Sequence, residues 1–190
     1  MLMLREKVRL DWLDHIIANL DRVLIDHAHL ERKAASSAIM LGKYKQLWHR
    51  INDLNNIAIE ELQHFQMVMD LLKKRNIASN STDSSPWVSG LMKEVRRGVS
   101  GQIIDHLLVA ALIEGRSCEK FQILAEGLKS IDQELASFYK SLVESEGNHY
   151  AFYILMAKEI DEEETKQRLD FFLDLEAELI RKPNPLPMLH

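Results

Sequence analysis

The sequence is short of residues that interrupt helices. Seven Gly and four Pro stand in 190 residues, and three of the prolines, Pro183, Pro185 and Pro187, fall in the last eight. A chain so poor in breakers reads as nearly all helix. There is one cysteine, Cys118, so an internal disulfide is excluded and a reducing compartment is expected. Cys-x-x-Cys does not occur. No apolar run approaches the roughly 18 residues of a membrane span. The opening Met-Leu-Met-Leu-Arg-Glu-Lys turns to charge too soon for a signal peptide, so a cytoplasmic protein is expected. A net charge of −5 argues against a generally basic nucleic-acid binder and leaves a local basic patch open.

What is present is ordinary for a folded protein: 46% hydrophobic and 28% charged residues. The length suits a single domain over 1–190 with a sizeable core. Apolar positions recur at helical spacing over about 23–43, 44–75, 102–127 and 132–158. Asp132 is placed to cap the last of these. Shorter amphipathic stretches cover 5–18 and 162–181. Between the second and third long helices, 76–86 is polar and turn-prone, and 87–98 reads as a short helix ending at Gly98. That connection is far longer than antiparallel neighbours need, so it is read as a crossover along the bundle. Residues 182–190 are expected as an extended tail.

Two of the long stripes contain Glu-x-x-His: Glu61 with His64, and Glu146 with His149. Residues at i and i+3 share a helix face, about 5–6 Å apart, so each pair is able to grip one ion. The other two stripes each carry a Glu on an otherwise apolar face, Glu31 and Glu114. Glu31 and Glu61 lie 30 residues apart and Glu114 and Glu146 lie 32 apart, so the two hairpins form a pseudo-repeat. Four converging carboxylates in a core would repel, and each would lose its hydration. Two divalent cations remove both problems. The competing explanation is burial as ion pairs with Arg32, Lys33, Arg116 or Lys120. Glu119 rivals Glu114 but lies off the stripe. The pattern Glu, Glu-x-x-His, Glu, Glu-x-x-His defines an all-α, ferritin-like four-helix bundle with a dimetal centre and extra short N-terminal, crossover and C-terminal helices. Such ligands hold iron, manganese or zinc; iron makes the set useful for activating O₂.

Around this set, Glu60 is placed to orient the histidine of the opposite hairpin, or else to be a solvated surface residue. His27, one turn before Glu31, either hydrogen-bonds near the site or is a satisfied core histidine. Leu107, Ala111, Cys118, Phe121, Val143 and Tyr150 are candidate pocket walls. Cys118 reads first as a small buried apolar residue, and Phe121 and Tyr150 as core aromatics before redox relays.

Four segments are more specific: Asp26-His27-Ala28-His29-Leu30-Glu31-Arg32-Lys33-Ala34-Ala35, Glu60-Glu61-Leu62-Gln63-His64-Phe65, Ile113-Glu114-Gly115-Arg116-Ser117-Cys118-Glu119-Lys120-Phe121, and Ser145-Glu146-Gly147-Asn148-His149-Tyr150. Together they resemble the MiaE-type tRNA hydroxylase family over about residues 10–160. The resemblance implies a non-haem centre of two iron ions held by Glu31, Glu61, His64, Glu114, Glu146 and His149. It also implies O₂ as co-substrate, an external electron-transfer partner, and a tRNA substrate hydroxylated on the isopentenyl group of 2-methylthio-isopentenyladenosine. Gly115 stands where the family usually has Ala, and Gly147-Asn148 where it usually has Ala-Arg.

A tRNA substrate needs phosphate contacts, for which Lys43, Lys45, Arg50, Lys73, Lys74, Arg75, Lys93, Arg96 and Arg97 are available. The chain is expected as a monomer or small homo-oligomer with no membrane partner. The alternative is a ferritin- or rubrerythrin-like protein that handles iron or peroxide. The missing Cys-x-x-Cys module weighs against the rubrerythrin form.

Overall fold

A computed structural model describes residues 2–9 and 11–190. The described elements are α1 (Trp12–Ile17), α2 (Leu20–Leu41), a 3₁₀ helix (Lys45–Arg50), α3 (Ile51–Lys74), α4 (Pro86–Lys93), α5 (Val99–Gly127), α6 (Gln133–Ile160) and α7 (Glu162–Ile180). α2 packs along α3 and α5 along α6, giving two helical hairpins. α7 lies against α4, α5 and α6.

Local chemistry sets the helix starts. Asp132 accepts a hydrogen bond from the Leu135 amide at 3.0 Å, and Asp161 from the Glu164 amide at 2.8 Å. Glu162, Glu163 and Glu164 then place negative charge at the positive end of α7. Ser85 caps α4 at 3.1 Å with Pro86 in its first turn, where the missing amide proton does no harm.

Three boundaries differ from expectation. The helix expected over 5–18 covers only Trp12–Ile17, and its residue 10 lies outside the described residues. The preceding segment is tied to other helices instead: Arg5 pairs with Asp170 and Asp174, and the Val8 amide donates to Glu119 at 3.4 Å. The stretch expected as one helix from 44 begins as a 3₁₀ helix, with α3 proper starting at Ile51. The crossover helix stops at Lys93, because the Arg96 amide and side chain bond to Asp105. Gly98, at φ 106°, then makes the turn into α5 in a region that disfavours side chains.

The apolar interior falls into two clusters. One includes Ala38, Leu54, Leu107, Ala111 and Tyr153; the other includes Leu24, Val68, Phe121, Leu124 and Leu142. On every one of the four long helices these clusters flank a short polar interval, at 31, 61–64, 114 and 146–149. The bundle thus holds a charged layer between two greasy ones, at mid-height.

Candidate metal centre

That layer gathers all six residues singled out by spacing. Atoms of Glu31, Glu61, His64 and Glu146 lie within 4.8 Å of one another, as do atoms of Glu61, Glu114, Glu146 and His149. Glu61 and Glu146 belong to both groups. Each group therefore has one carboxylate and one imidazole of its own and two carboxylates in common. All six residues are buried.

The imidazoles are aimed. His149 Nε2 donates to Glu60 at 2.8 Å, and His64 Nε2 lies 3.3 Å from the Ser145 hydroxyl. Both Nδ1 atoms face inward. His149 Nδ1 is 2.7 Å from Glu61, and His64 Nδ1 is 3.5 to 3.7 Å from Glu146, Glu61 and Glu31. Yet both Nδ1 atoms, both Glu61 oxygens and Glu146 Oε1 are buried without a directed hydrogen bond. Buried polar atoms are nearly always satisfied, so five orphans converging on one point fit a group that accepts lone pairs. His27 bonds to Glu31 through Nε2, which fixes that carboxylate from behind.

Electrostatics agree with this picture. Burial, then the charge on Glu61, lifts the Glu114 carboxyl to about 8. Burial together with Glu61, Glu114 and Glu31 pushes Glu146 well above the ordinary range, and burial raises Glu61. Burial opposes charging of the two imidazoles, but the carboxylates outweigh it. Glu31 and Glu61 raise His64 to about 10, and Glu61 and Glu114 raise His149 to about 9. Burial opposes ionisation of Glu31 too, and His27 outweighs it to lower that group. Positive charge is what this layer demands.

The competing ion pairs do not form among the described residues. Arg116 pairs with Glu176 and Glu119, Arg32 bonds His29, and the Lys120 amine donates to the Leu189 carbonyl. Glu119, the rival carboxylate, is thereby engaged outside the layer.

A cavity of about 760 Å³ reaches Glu31, Glu114 and Glu146 from the side where α2 and α5 face each other. α4 and residues 83–85 of the crossover form one wall, so the long connection shapes the site as well as linking the hairpins. Its outer end carries exposed Arg32, Lys33 and Lys43. Of the six expected wall residues, Phe121 lines this cavity. Leu107, Ala111 and Tyr150 lie in the apolar core, Cys118 bonds the Val143 carbonyl at 3.4 Å, and Val143 packs on the second cluster. These five belong to the interface of α5 with α6 or its surroundings, not to the α2–α5 side where the bundle opens. The structure adds lining residues that periodicity did not single out, including Leu30, Ile113, Tyr153, Met188 and Leu189. Among the nine expected phosphate contacts, Arg50, Lys74, Arg75 and Arg96 are held in ion pairs, whereas Lys43 reaches the cavity.

A four-helix bundle with two carboxylate–histidine groups sharing two glutamates is a ferritin-like dimetal carboxylate protein. The sequence comparisons narrow the class. A family model described as tRNA-(MS[2]IO[6]A)-hydroxylase (MiaE) matches residues 1–190, and the chain belongs to that family. The tRNA 2-(methylsulfanyl)-N(6)-isopentenyladenosine(37) hydroxylase of Pseudomonas putida is 35% identical over 175 residues, covering 91% of this chain and 84% of the relative. The hydroxylase of the same name from Salmonella typhimurium is 39% identical over 125 residues, covering 66% of this chain and 45% of that relative. Among solved structures, a Synechococcus protein with aldehyde deformylating oxygenase activity superposes with a TM-score of 0.88 at 30% identity. The match covers 98% of this chain and 94% of that one.

The two departures from the family pattern have different physical standing. A Cβ on Gly115 would lie 2.8 Å from the ring of Tyr150, whose hydroxyl is held by the Met3 amide at 3.1 Å. A Cβ on Gly147 would meet only Cys118 Sγ, at 3.7 Å. Gly147→Ala should therefore stabilise by about 1 kcal/mol, the helix preference of Ala over Gly. Gly115→Ala should destabilise by about 1–3 kcal/mol through overpacking. Calorimetric melting of both variants checks the opposite signs.

Proposed function

We propose that this protein is an O₂-dependent non-haem di-iron monooxygenase that hydroxylates the isopentenyl group of 2-methylthio-isopentenyladenosine in tRNA. The observation that carries this is the pair of buried groups sharing Glu61 and Glu146 at the inner end of the cavity, in a chain of the MiaE family. Glu31 and His64 would hold one iron, Glu114 and His149 the other, and Glu61 and Glu146 both. Iron bound there would supply activation of O₂; overall, one oxygen atom would enter an allylic C–H bond and the other would leave as water, with two electrons and two protons from an external donor.

The remaining tasks fall to this chain's own side chains. Phe121, Ile113 and Leu30 present apolar surface to a prenyl group and keep water from its C–H bonds. Tyr44, whose hydroxyl lies 3.1 Å from His106 Nδ1, forms a firm wall of the cavity. Arg32, Lys33 and Lys43 at the outer end suit the phosphates flanking a modified base. Glu60 and Ser145 hold the outer nitrogens of the two histidines, fixing which nitrogen faces inward. Glu60→Ala and Ser145→Ala should each weaken metal affinity by about 10–100-fold, measured by competition with a chelator. Among the described residues no helix is long and apolar enough to cross a membrane. A tRNA substrate would put the protein in the cytoplasm, served there by a separate electron-transfer partner.

The test is nucleoside mass spectrometry of tRNA carrying the isopentenyl modification, after incubation with iron-loaded protein, O₂ and reductant. A gain of one oxygen on the prenyl group is expected. An unchanged prenyl group with fully loaded, reduced protein would refute the proposal. Gel filtration separates the iron-storage alternative, which needs a very large cage; a monomer or small oligomer is expected.

A further inference from the structure

Residues 182–190 are free of helix, as an extended tail should be, but their end is not solvent-exposed. Met188, Leu189 and His190 are 5%, 1% and 5% exposed. One peptide unit is gripped from both sides. The Leu189 amide donates to Asp26 Oδ2 at 2.9 Å, and the Leu189 carbonyl accepts from the Lys120 amine. Beyond it, His190 Nε2 lies 3.0 Å from the Ser117 hydroxyl, and its ring stacks on Trp87 at 5.3 Å between centroids.

Asp26 and Lys120 are themselves 2% and 3% exposed, and neither forms an ion pair among the described residues. Buried unpaired acids and amines are rare, because each gives up its hydration. Here one comes from α2 and the other from α5, and both turn to the same backbone unit. Burial pushes the Lys120 amine down to about 7 and raises Asp26, as expected of groups held for a purpose other than mutual pairing. Neither group reaches the six-residue layer. Asp26 itself lines the cavity, as do its neighbour His27 and Phe121, the neighbour of Lys120. The clamped segment supplies Met188, Leu189 and His190 to the cavity lining.

We infer that residues 186–190 are an inserted wall of the cavity, that Met188 and Leu189 limit the length of side chain it accepts, and that Asp26 and Lys120 are positioning residues acting through the Leu189 peptide. What enters the cavity rests on the hydroxylase proposal; the clamp does not. On this inference a ten-carbon prenyl group is accepted less well than a branched five-carbon one. Trimming Leu189 removes that limit without touching the metal layer.

Two measurements on metal-free, full-length protein test this without turnover. The first is hydrogen exchange of the peptide 186–190. Asp26→Ala and Lys120→Met should accelerate it at least about tenfold, with the amides of α5 and α6 unchanged. Asp26→Asn, which keeps an acceptor for the Leu189 amide, should restore protection. Unchanged exchange at 186–190 in folded Asp26→Ala and Lys120→Met would overturn the clamp. The second is binding of anticodon stem-loop RNAs carrying N6-isopentenyl- or N6-geranyladenosine, read by fluorescence anisotropy. Leu189→Ala should shift the ratio of the two affinities toward geranyl by about tenfold, the scale for added methylenes in an apolar pocket. A general loss of structure would weaken both RNAs alike, so an unchanged ratio, or no binding of either RNA, would overturn the length limit. Absence of hydroxylation with an intact ratio shift would count against the proposed reaction and leave this inference standing.

Discussion

Glu61→Ala is expected to abolish loading of both metal positions, whereas Glu31→Ala and Glu114→Ala should each leave one. The asymmetry follows from membership: Glu61 and Glu146 contribute to both groups of four, and Glu31 and Glu114 to one each. Losing a shared carboxylate removes a ligand from two ions at once. It also removes the negative charge that lets them sit close together. Changes to residues that merely hold ligands lower affinity by about 10–100-fold, so loss of a shared ligand should lower hydroxylation by more than about 100-fold. Metal analysis after anaerobic ferrous loading should give about two ions per chain for the parent and about one for Glu31→Ala or Glu114→Ala. Glu61→Ala and Glu146→Ala should fall well below one. Glu119→Ala is the control, since Glu119 bonds Arg116 and the Val8 amide outside both groups. If Glu61→Ala retained two ions, the sharing would be wrong.

Metal removal should make stability fall as pH rises, and loading should reverse that trend. In the metal-free protein Glu114 stands at about 8 against an ordinary 4.5. Its neutral form is favoured in the fold, so its contribution is intact below about 4.5 and is lost as pH climbs through about 8. His64 and His149, raised from 6.5 to about 10 and about 9, act in the same direction. Their contribution is fully present below 6.5 and disappears as pH passes 9 to 10. Glu31, lowered by His27 against the effect of burial, loses its contribution only in acid. The metal-free melting temperature should therefore decline steadily from pH 5 to pH 10. Metal binding needs deprotonated ligands, so the loaded protein gains where the metal-free one loses. Two sites, each with free metal at about 1,000 times its dissociation constant, contribute together about 8 kcal/mol. For a chain of this size that is a rise in melting temperature of roughly 15–30 °C. Calorimetry across that pH range, with and without ferrous or manganous ion, reads both trends. A flat or rising metal-free curve would contradict the charge assignment.

Much of this was open to inspection in the chain itself. The i, i+3 spacing of Glu61 with His64 and Glu146 with His149, and one acid on each remaining apolar stripe, pointed to the layer that the fold assembles. Helix type and order followed from the scarcity of Gly and Pro. The open side of the bundle did not follow. Periodicity tells which face of a helix is buried, not which neighbour it meets. Leu107 and Ala111 of α5 and Tyr150 of α6 are buried in the apolar core, while the cavity opens between α2 and α5. Ser145 has a signal in the sequence that the Glu-x-x-His spacing alone does not carry: it precedes Glu146 as Glu60 precedes Glu61, and each bonds the histidine of the other hairpin. The tail reads as extended from its prolines, and residues 182–190 carry no helix. Its burial depends on Asp26 and Lys120, more than sixty residues away in sequence, and no local pattern encodes such contacts. The N-terminal helix is shorter than its periodicity suggests because Arg5 and Val8 bond to α7 and to Glu119.

Anomalous diffraction at the iron edge, from crystals loaded with ferrous ion without oxygen, addresses the centre most directly. Two peaks about 3.5–4 Å apart are expected, one beside Glu31 and His64, the other beside Glu114 and His149, with Glu61 and Glu146 touching both. No peak in that layer, or a single ion bound only to surface acids, would contradict it.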